Sequence, residues 1–516
     1  MAPVAPASDR RIRAVGWWLF ALALGVYLVT AGGSLTSTDA VVTFDVTENL
    51  IDHGSVAMSG NLLGMDAHRG RDGRYYSPFG IVQSLYNVPF DLAGRAVVAA
   101  TGLRAGKSTT IRKAAVALGQ TLVVAVIIWQ IFRLSLFVTG DLTAATLASV
   151  TMAFGSLLWP YARFGFNQPL ATLTLLAAVI DALTAVRQRL PWRAARAGLW
   201  LSLSLLTRHE MGLAAVPLTL WLAFGDDGAL STRRRELLGF VGVFCAGIAV
   251  WLIYNAVRFG NPLDSGFLRD RVPGFGSPIL QGLMGLLFSP AASIFLYSPV
   301  VIFGLAGLVM LMKRDRSVAV LLASLPVLFL LLYATLGNWI GGRSYGGRYL
   351  VVVLPYLGVG WAALLAAQTS RTRRRLATAL IVVGIVVQIP GVFVDYAKVS
   401  QAATAAEPGT SAQQERWSWD SAPIVRNARA LTGMLPENMD YVLDRAPSPD
   451  VPTLALDDDR GFSQRFSFSL DFWWMYLFYL RVVPRAVLFV VIPIFALWTI
   501  TTARKLATSL RRANAG

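Results

Sequence analysis

Apolar runs close to 20 residues long recur along the chain, at 16–33, 114–136, 142–160, 168–186, 197–225, 237–257, 291–312, 317–336, 349–368, 376–394 and 472–503. A helix rising 1.5 Å per residue needs about 20 apolar residues to cross the roughly 30 Å hydrocarbon layer of a bilayer. In hydrocarbon every backbone N–H and C=O must find a partner within the protein, which makes helices the fold for such runs. The expected class is all-α integral membrane, with about twelve transmembrane helices. Composition agrees: of 516 residues 55% are hydrophobic and only 15% charged, against roughly 25% charged in soluble chains. The basic stretch before 16–33 resembles the start of a signal peptide, but no convincing cleavage site follows, so 16–33 is read as a retained anchor.

The formal charge is +17. The basic residues collect beside the ends of the apolar runs: Arg10, Arg11 and Arg13; Arg233 to Arg235; Lys313, Arg314 and Arg316; Arg371 and Arg373 to Arg375; Arg504 and Lys505; Arg511 and Arg512. That is the positive-inside distribution of cytoplasmic loops, so membrane lipids rather than nucleic acid are the expected partners. Placing these clusters inside gives a multi-pass plasma (inner) membrane protein with both termini cytoplasmic. Three outer segments result: 34–113, 258–280 with 337–348, and 395–471. Residues 1–394 read as one transmembrane module, 395–471 as an outer loop or small cap, and 472–516 as a final helix with a basic tail.

Two stretches need separate placement. The stretch 81–100 is apolar but contains Asn87, Pro89, Asp91 and Arg95. A crossing there would put the basic loop 187–196 outside, so it is read as a helix lying along the outer surface. The run 197–225 is interrupted by Thr207, Arg208, His209 and Glu210. Two short helices in a hairpin keep both flanking basic loops inside and lift Arg208 to the outer side, where a polar cavity would accept it. The single cysteine, Cys245, excludes an intrachain disulfide.

The first outer loop is the richest in polar residues. Asp45, Glu48 and Asp52 recur at i, i+3 and i+7, on one face of an amphipathic helix. They read either as a solvated face or, with His53, as contacts to a substrate. Asp39 stands at the helix–loop junction beside the membrane boundary. A partly desolvated carboxylate there suits a general base; the alternative is an N-cap for the helix at 40–52. Arg208, Arg343 and Arg348, with Arg258, Arg269 and Arg271, are outer-face guanidinium groups of the kind that pair bidentately with phosphate. Headgroup anchoring, or for Arg208 a pair with Glu210, is the competing account. Gly341-Gly342 and Gly346-Gly347 would let backbone amides approach an anion. Tyr75, Tyr76, Trp339, Tyr345 and Tyr349 read as an interfacial belt, or, for Tyr76 and Tyr345, as contacts to a sugar or acceptor. No cofactor is expected; His53, His68 and His209 would hold a divalent metal only with a carboxylate's help. Gly106-Lys107-Ser108 lacks the spacing of a Walker loop.

An Asp directly after the first transmembrane helix, then a helix ending Asn49-Leu50-Ile51-Asp52-His53-Gly54, resembles the first outer loop of GT-C fold glycosyltransferases. That superfamily includes the protein O-mannosyltransferases and the lipid A aminoarabinose transferases. Tyr76-Ser77-Pro78-Phe79-Gly80, Leu206-Thr207-Arg208, Gly285-Leu286-Leu287-Phe288-Ser289-Pro290, Tyr297-Ser298-Pro299 and the segment from Trp339 to Tyr349 look like those of bacterial membrane proteins grouped with it. The resemblance spans about 34–355 and implies a polyprenyl-phosphate-linked sugar donor. It also implies a catalytic acid in the first outer loop and cations that hold the carrier phosphate. Asp39 matches the first position of the family's paired-acid motif, but Ala40 follows where many relatives carry Glu.

The expected function is therefore transfer of a sugar, with inversion, to a glycan, lipid or protein acceptor at the outer face. A transporter or flippase would place ionisable residues at mid-bilayer in broken helices. Here Asp181 is the one interior carboxylate of note, and the acids crowd the outer loops. A polymerase or ligase joining lipid-linked glycans shares the expected geometry and stays open.

Overall fold

Helices form where the apolar runs lie, and the breaks between them fall at Gly, Pro and charged residues. The computed structural model describes residues 9–59, 67–103, 105–225, 233–267, 276–406, 412–445, 470–479 and 482–514. The helices are α1 (Asp9–Val29), α2 (Thr38–His53), α3 (Ile81–Thr101), α4 (Ala105–Thr139), α5 (Leu142–Gly155), α6 (Asn167–Gln188), α7 (Pro191–Thr207), α8 (Ala215–Phe224), α9 (Arg234–Phe259), α10 (Ile279–Phe288), α11 (Ile294–Tyr297), α12 (Val300–Arg314), α13 (Arg316–Ala334), α14 (Leu354–Ala366), α15 (Ser370–Phe393), α16 (Tyr396–Ala406), α17 (Ala412–Trp417), α18 (Pro423–Val442), α19 (Trp473–Tyr479) and α20 (Leu488–Asn514). Two short antiparallel strands, β1 (His68–Arg69) and β2 (Tyr75–Tyr76), pair His68 with Tyr76 and Arg69 with Tyr75.

Eight described helices are long and apolar enough to cross a membrane, fewer than the dozen that the runs suggest. Polar and helix-breaking residues shorten the rest. Run 142–160 becomes the 14-residue α5, which stops at Ser156 in an extended conformation. Run 197–225 breaks at Arg208, whose backbone is extended (φ −144°, ψ 123°).

The break reverses the chain. Ser204 Oγ donates to Ala171 O and Arg193 pairs with Asp181, so α7 runs antiparallel to α6. Trp221 Nε1 donates to Ala182 O, which brings the end of α8 back toward the end of α6 that carries Arg187. Gly198 packs on Phe240 and Gly247 on Ser202, so α9 runs parallel to α7. The segment is a hairpin with Arg208 at its tip.

The basic clusters share one end of the bundle. Arg11 Nη1 donates to Arg512 O at 3.1 Å, and Asn514 Nδ2 donates to Thr143 Oγ1 at 2.8 Å. Arg373 pairs with Asp141 and Arg187 with Asp315. Asp181 also belongs to this end, held by Arg193, Arg196 and Trp200. It is a fully satisfied structural acid.

At the opposite end α2 and α3 cover the bundle. The 35 residues of α4 extend about 52 Å at 1.5 Å per residue, well beyond a hydrocarbon layer of about 30 Å. Helix α3 packs antiparallel on the excess: Tyr86 Oη donates to Gly119 O, and Gly94 abuts Arg112 and Ala115. It is not among the eight long apolar helices.

Candidate active site

Helix α2 starts at a polar cap. Ser37 is extended (φ −78°, ψ 144°) and its side chain accepts the Ala40 N–H. The carboxylate of Asp39, in the first turn, is thereby left for another partner. Arg348 Nη1 donates to Asp39 Oδ2 at 3.0 Å, and both side chains are almost buried. Among the described residues Asp39 Oδ1 has no hydrogen-bond partner.

Arg348 opens the turn that leads into α14 and follows the glycine-rich loop. Gly341 in that loop has φ +86°, and a Cβ there would lie 2.8 Å from Arg348 Cγ. Glycine is required both for the left-handed backbone and for the arginine's room. The Arg348 guanidinium lies 5.1 Å from the Phe166 ring centre and 5.3 Å from that of Tyr349.

Arg208, at the hairpin tip, approaches the same ring at 5.6 Å. It donates from Nε to Glu210 Oε1 at 2.6 Å and from Nη1 to Asn167 Oδ1 at 2.7 Å. Tyr333 stacks on Tyr349, with centroids 4.9 Å apart, and donates to Glu210. Asp39, Arg348 and Arg208 thus converge around Tyr349, although they come from three distant parts of the chain. Two buried donors in the cluster, Arg348 Nε and Asn167 Nδ2, have no hydrogen-bond partner. Orphaned buried donors are costly and uncommon.

The tip is held by the Tyr76–Gly80 loop. A Cβ on Gly80 would lie 2.0 Å from Leu206 O, so the loop backbone rests directly on the end of α7. His209 contacts Pro78 O through Nε2 at 2.9 Å, while its Nδ1 accepts from Trp251 Nε1 at 2.8 Å. With Nδ1 accepting, the proton sits on Nε2, and both ring nitrogens serve as bolts. Arg258 donates to Ser77 O, Phe79 O and Asn255 Oδ1, which makes it a scaffold for this loop. Arg269 and Arg271 lie outside the described residues.

The other sequence candidates sit elsewhere. Asp45 accepts from Ser59 N and Ser59 Oγ, so it is occupied as an anchor for 55–59 rather than as a second acid. Glu48 pairs with Arg112 at 2.8 Å, and burial pushes its carboxyl up despite that arginine. Asp52 takes both Arg95 terminal nitrogens, which hold its carboxyl below the usual range. Asp91, fully buried, receives Arg95 at 2.8 Å and Arg112 at 2.7 Å. Glu48 and Asp52 therefore form a partly exposed ion-pair seam with α3 and α4, while Asp45 faces the 55–59 segment.

His53 is exposed at the last residue of α2, about 21 Å along the axis from Asp39. Tyr76 is buried, donates to Asp72 at 2.7 Å and is pushed up to about 12, first by burial and then by that carboxylate. Tyr345 is wholly buried, its hydroxyl on Val387 O, so it offers no surface to a sugar. Arg343 is exposed and lines a separate cavity. Among the described residues no group of three or more His, Cys, Asp or Glu side chains is placed to hold a metal.

Sequence reasoning passed over Arg163, which is wholly buried. It donates to Thr30 O, Gly391 O and Val394 O and pairs with Asp471 at 2.9 Å. A lone arginine between two apolar runs was the available signal. It ties α1, α15 and the 470–479 segment together beside the site.

A bundle of apolar helices carries its basic loops at one end and a carboxylate–arginine cluster under an amphipathic cover at the other, and the helical fold is that of solved GT-C structures. It superposes on ArnT from Cupriavidus metallidurans bound to undecaprenyl phosphate with TM-score 0.50 at 15% identity, over 89% of this chain and 75% of that one. For apo ArnT the values are 0.50 and 13%, over 83% and 79%. Against the oligosaccharyltransferase AglB from Archaeoglobus fulgidus the TM-score is 0.44 at 12% identity, over 89% of this chain and 59% of that one. No protein-family model matches the sequence, and no curated protein matches it.

Proposed function

We propose that the protein is a membrane glycosyltransferase that moves a sugar from a polyprenyl-phosphate carrier to an acceptor at the outer face of the plasma membrane. The observation that carries this reading is the Asp39–Arg348 pair beside Arg208, with Arg348 Nε and Asn167 Nδ2 left unsatisfied. A cluster of two arginines with unsatisfied donors, next to a carboxylate with one oxygen unpaired, suits a phosphate leaving group and an acceptor that must lose a proton. The fold shared with a protein that binds undecaprenyl phosphate supports the lipid-carrier side.

In this reading Asp39 Oδ1 takes the proton of an acceptor hydroxyl or amine. The freed electron pair attacks the anomeric carbon from the side opposite the phosphate. The bond between that carbon and the phosphate oxygen breaks, its electrons leave with the lipid phosphate, and the configuration inverts. Arg208 and Arg348 hold the phosphate as its charge grows, which is the point at which fixed cations help most. With Ala40 after Asp39, one acid serves the reaction, since Asp45 and Glu48 are engaged elsewhere.

Asp39→Asn in proteoliposomes loaded with a polyprenyl-phosphate sugar tests the assignment. Transfer should fall about 10²- to 10⁴-fold, while binding of polyprenyl phosphate persists. Transfer at the normal rate would remove Asp39 from the role.

A further inference from the structure

Between the glycine-rich loop and helices α16–α18 lies a cavity of about 380 Å³. Arg343, Arg416 and Arg426 line it, against one carboxylate, Glu415. Arg426 lies 3.9 Å from Glu415, and Arg416 donates to Gly337 O. Arg343 is exposed and makes no ion pair among the described residues. The cavity therefore carries excess positive charge.

Two further lining groups are donors without partners. Tyr396 and Asn427 are 2% and 1% exposed, yet the Tyr396 hydroxyl and Asn427 Nδ2 have no hydrogen-bond partner. Two orphaned donors in a cationic cavity describe a binding site for an oxyanion. Tyr396 also forms the wall toward Asp39. Its ring lies 6.4 Å from Tyr161, which lies 5.5 Å from Phe166, the ring that carries Arg348. Three rings in succession, Tyr396, Tyr161 and Phe166, link this cavity to Arg348 of the Asp39–Arg348 pair.

We infer that this cavity binds a phosphate ester on the acceptor, so that the enzyme selects an anionic acceptor headgroup. The acceptor assignment rests on the transferase reading; binding of a phosphate ester does not. The shared chemistry fits a phospholipid headgroup or a phosphorylated glycan.

The test uses the full chain in phosphatidylcholine nanodiscs, with glycerol 1-phosphate as probe and glycerol as control. Trp339 and Trp417, 6.2 Å apart, stand beside Arg416 and report binding by fluorescence. Glycerol 1-phosphate should bind, glycerol should not, and Arg343→Gln should weaken the phosphate ester at least tenfold, with Arg426→Gln acting likewise. Polyprenyl phosphate affinity should stay unchanged in Arg343→Gln. Equal binding of glycerol, or unaltered affinity in Arg343→Gln, overturns the proposal whether or not Asp39→Asn abolishes transfer. Nanodiscs with added phosphatidylglycerol separate the two sources: competition supports a lipid headgroup, and its absence a phosphorylated glycan.

Discussion

The side-chain oxygen of Ser37 accepts the backbone N–H of Ala40 at 3.2 Å, so α2 is capped without the Asp39 carboxylate two residues on. That division of labour lets stability and chemistry be separated. Ser37→Ala should cost about 1 kcal/mol and leave transfer largely intact. Asp39→Asn keeps an oxygen for Arg348 and should fold. Asp39→Ala strands a buried guanidinium and should cost about 3 kcal/mol. Thermal unfolding in detergent, read beside transfer, checks the order; equal losses for the two Asp39 variants would contradict it.

Arg208 has both a structural and a binding role, and a double variant separates them. Arg208→Gln alone leaves Glu210 facing Tyr333 without its cation, with an expected loss of about 3 kcal/mol. Adding Glu210→Gln should restore most of that stability. Binding of polyprenyl phosphate should stay weak in both. Recovery of binding in the double variant would mean that Arg208 acts only through the pair.

Gly341 and Gly342 form a matched comparison. Both have positive φ, +86° and +77°, but only Gly341 has Arg348 against its Cβ position; nothing lies within 4 Å of the other. Each Gly→Ala change carries backbone strain of about 1–2 kcal/mol. Transfer should drop far more for Gly341→Ala, because Arg348 must move. Similar activities in the two would argue that the position of Arg348 does not matter.

The seam between α2 and α3 gives a pH signature. Arg95 lowers the Asp52 carboxyl in the folded protein. Its contribution is therefore present above the unfolded value near pH 4 and is lost as pH falls through the lower, folded value. Melting temperatures of the parent and Asp52→Asn should differ most near pH 6 and draw together as pH falls through the lowered folded value. A gap that stays constant would show that Asp52 contributes nothing through its charge.

Membrane class and the gathering of the basic clusters at one end were readable in the chain because both follow from local content: run length for one, arginines at run ends for the other. The hairpin at Arg208 followed from the same logic, since no other path kept 187–196 and Arg233 to Arg235 together. The partners of individual polar residues were not readable. The i, i+3, i+7 spacing of Asp45, Glu48 and Asp52 predicts a shared face, but what covers that face depends on how α3 folds back. Tyr345 read as an interfacial aromatic or a sugar contact because it stands among polar residues and glycines, and its burial comes from Tyr297 and Tyr396, far along the chain. Asp39 and Arg348 are 309 residues apart, and no local pattern joins them.

The Arg163–Asp471 bond has a consequence for how the protein is made. The cation is synthesised 308 residues before its counter-ion. Thr30 O and the Phe164 ring are made before or beside it, whereas the carbonyls of Gly391 and Val394 also arrive late. The counter-ion of this buried charge is thus made only late in synthesis. The full set of partners around this buried guanidinium therefore exists only once the chain has been made through 471.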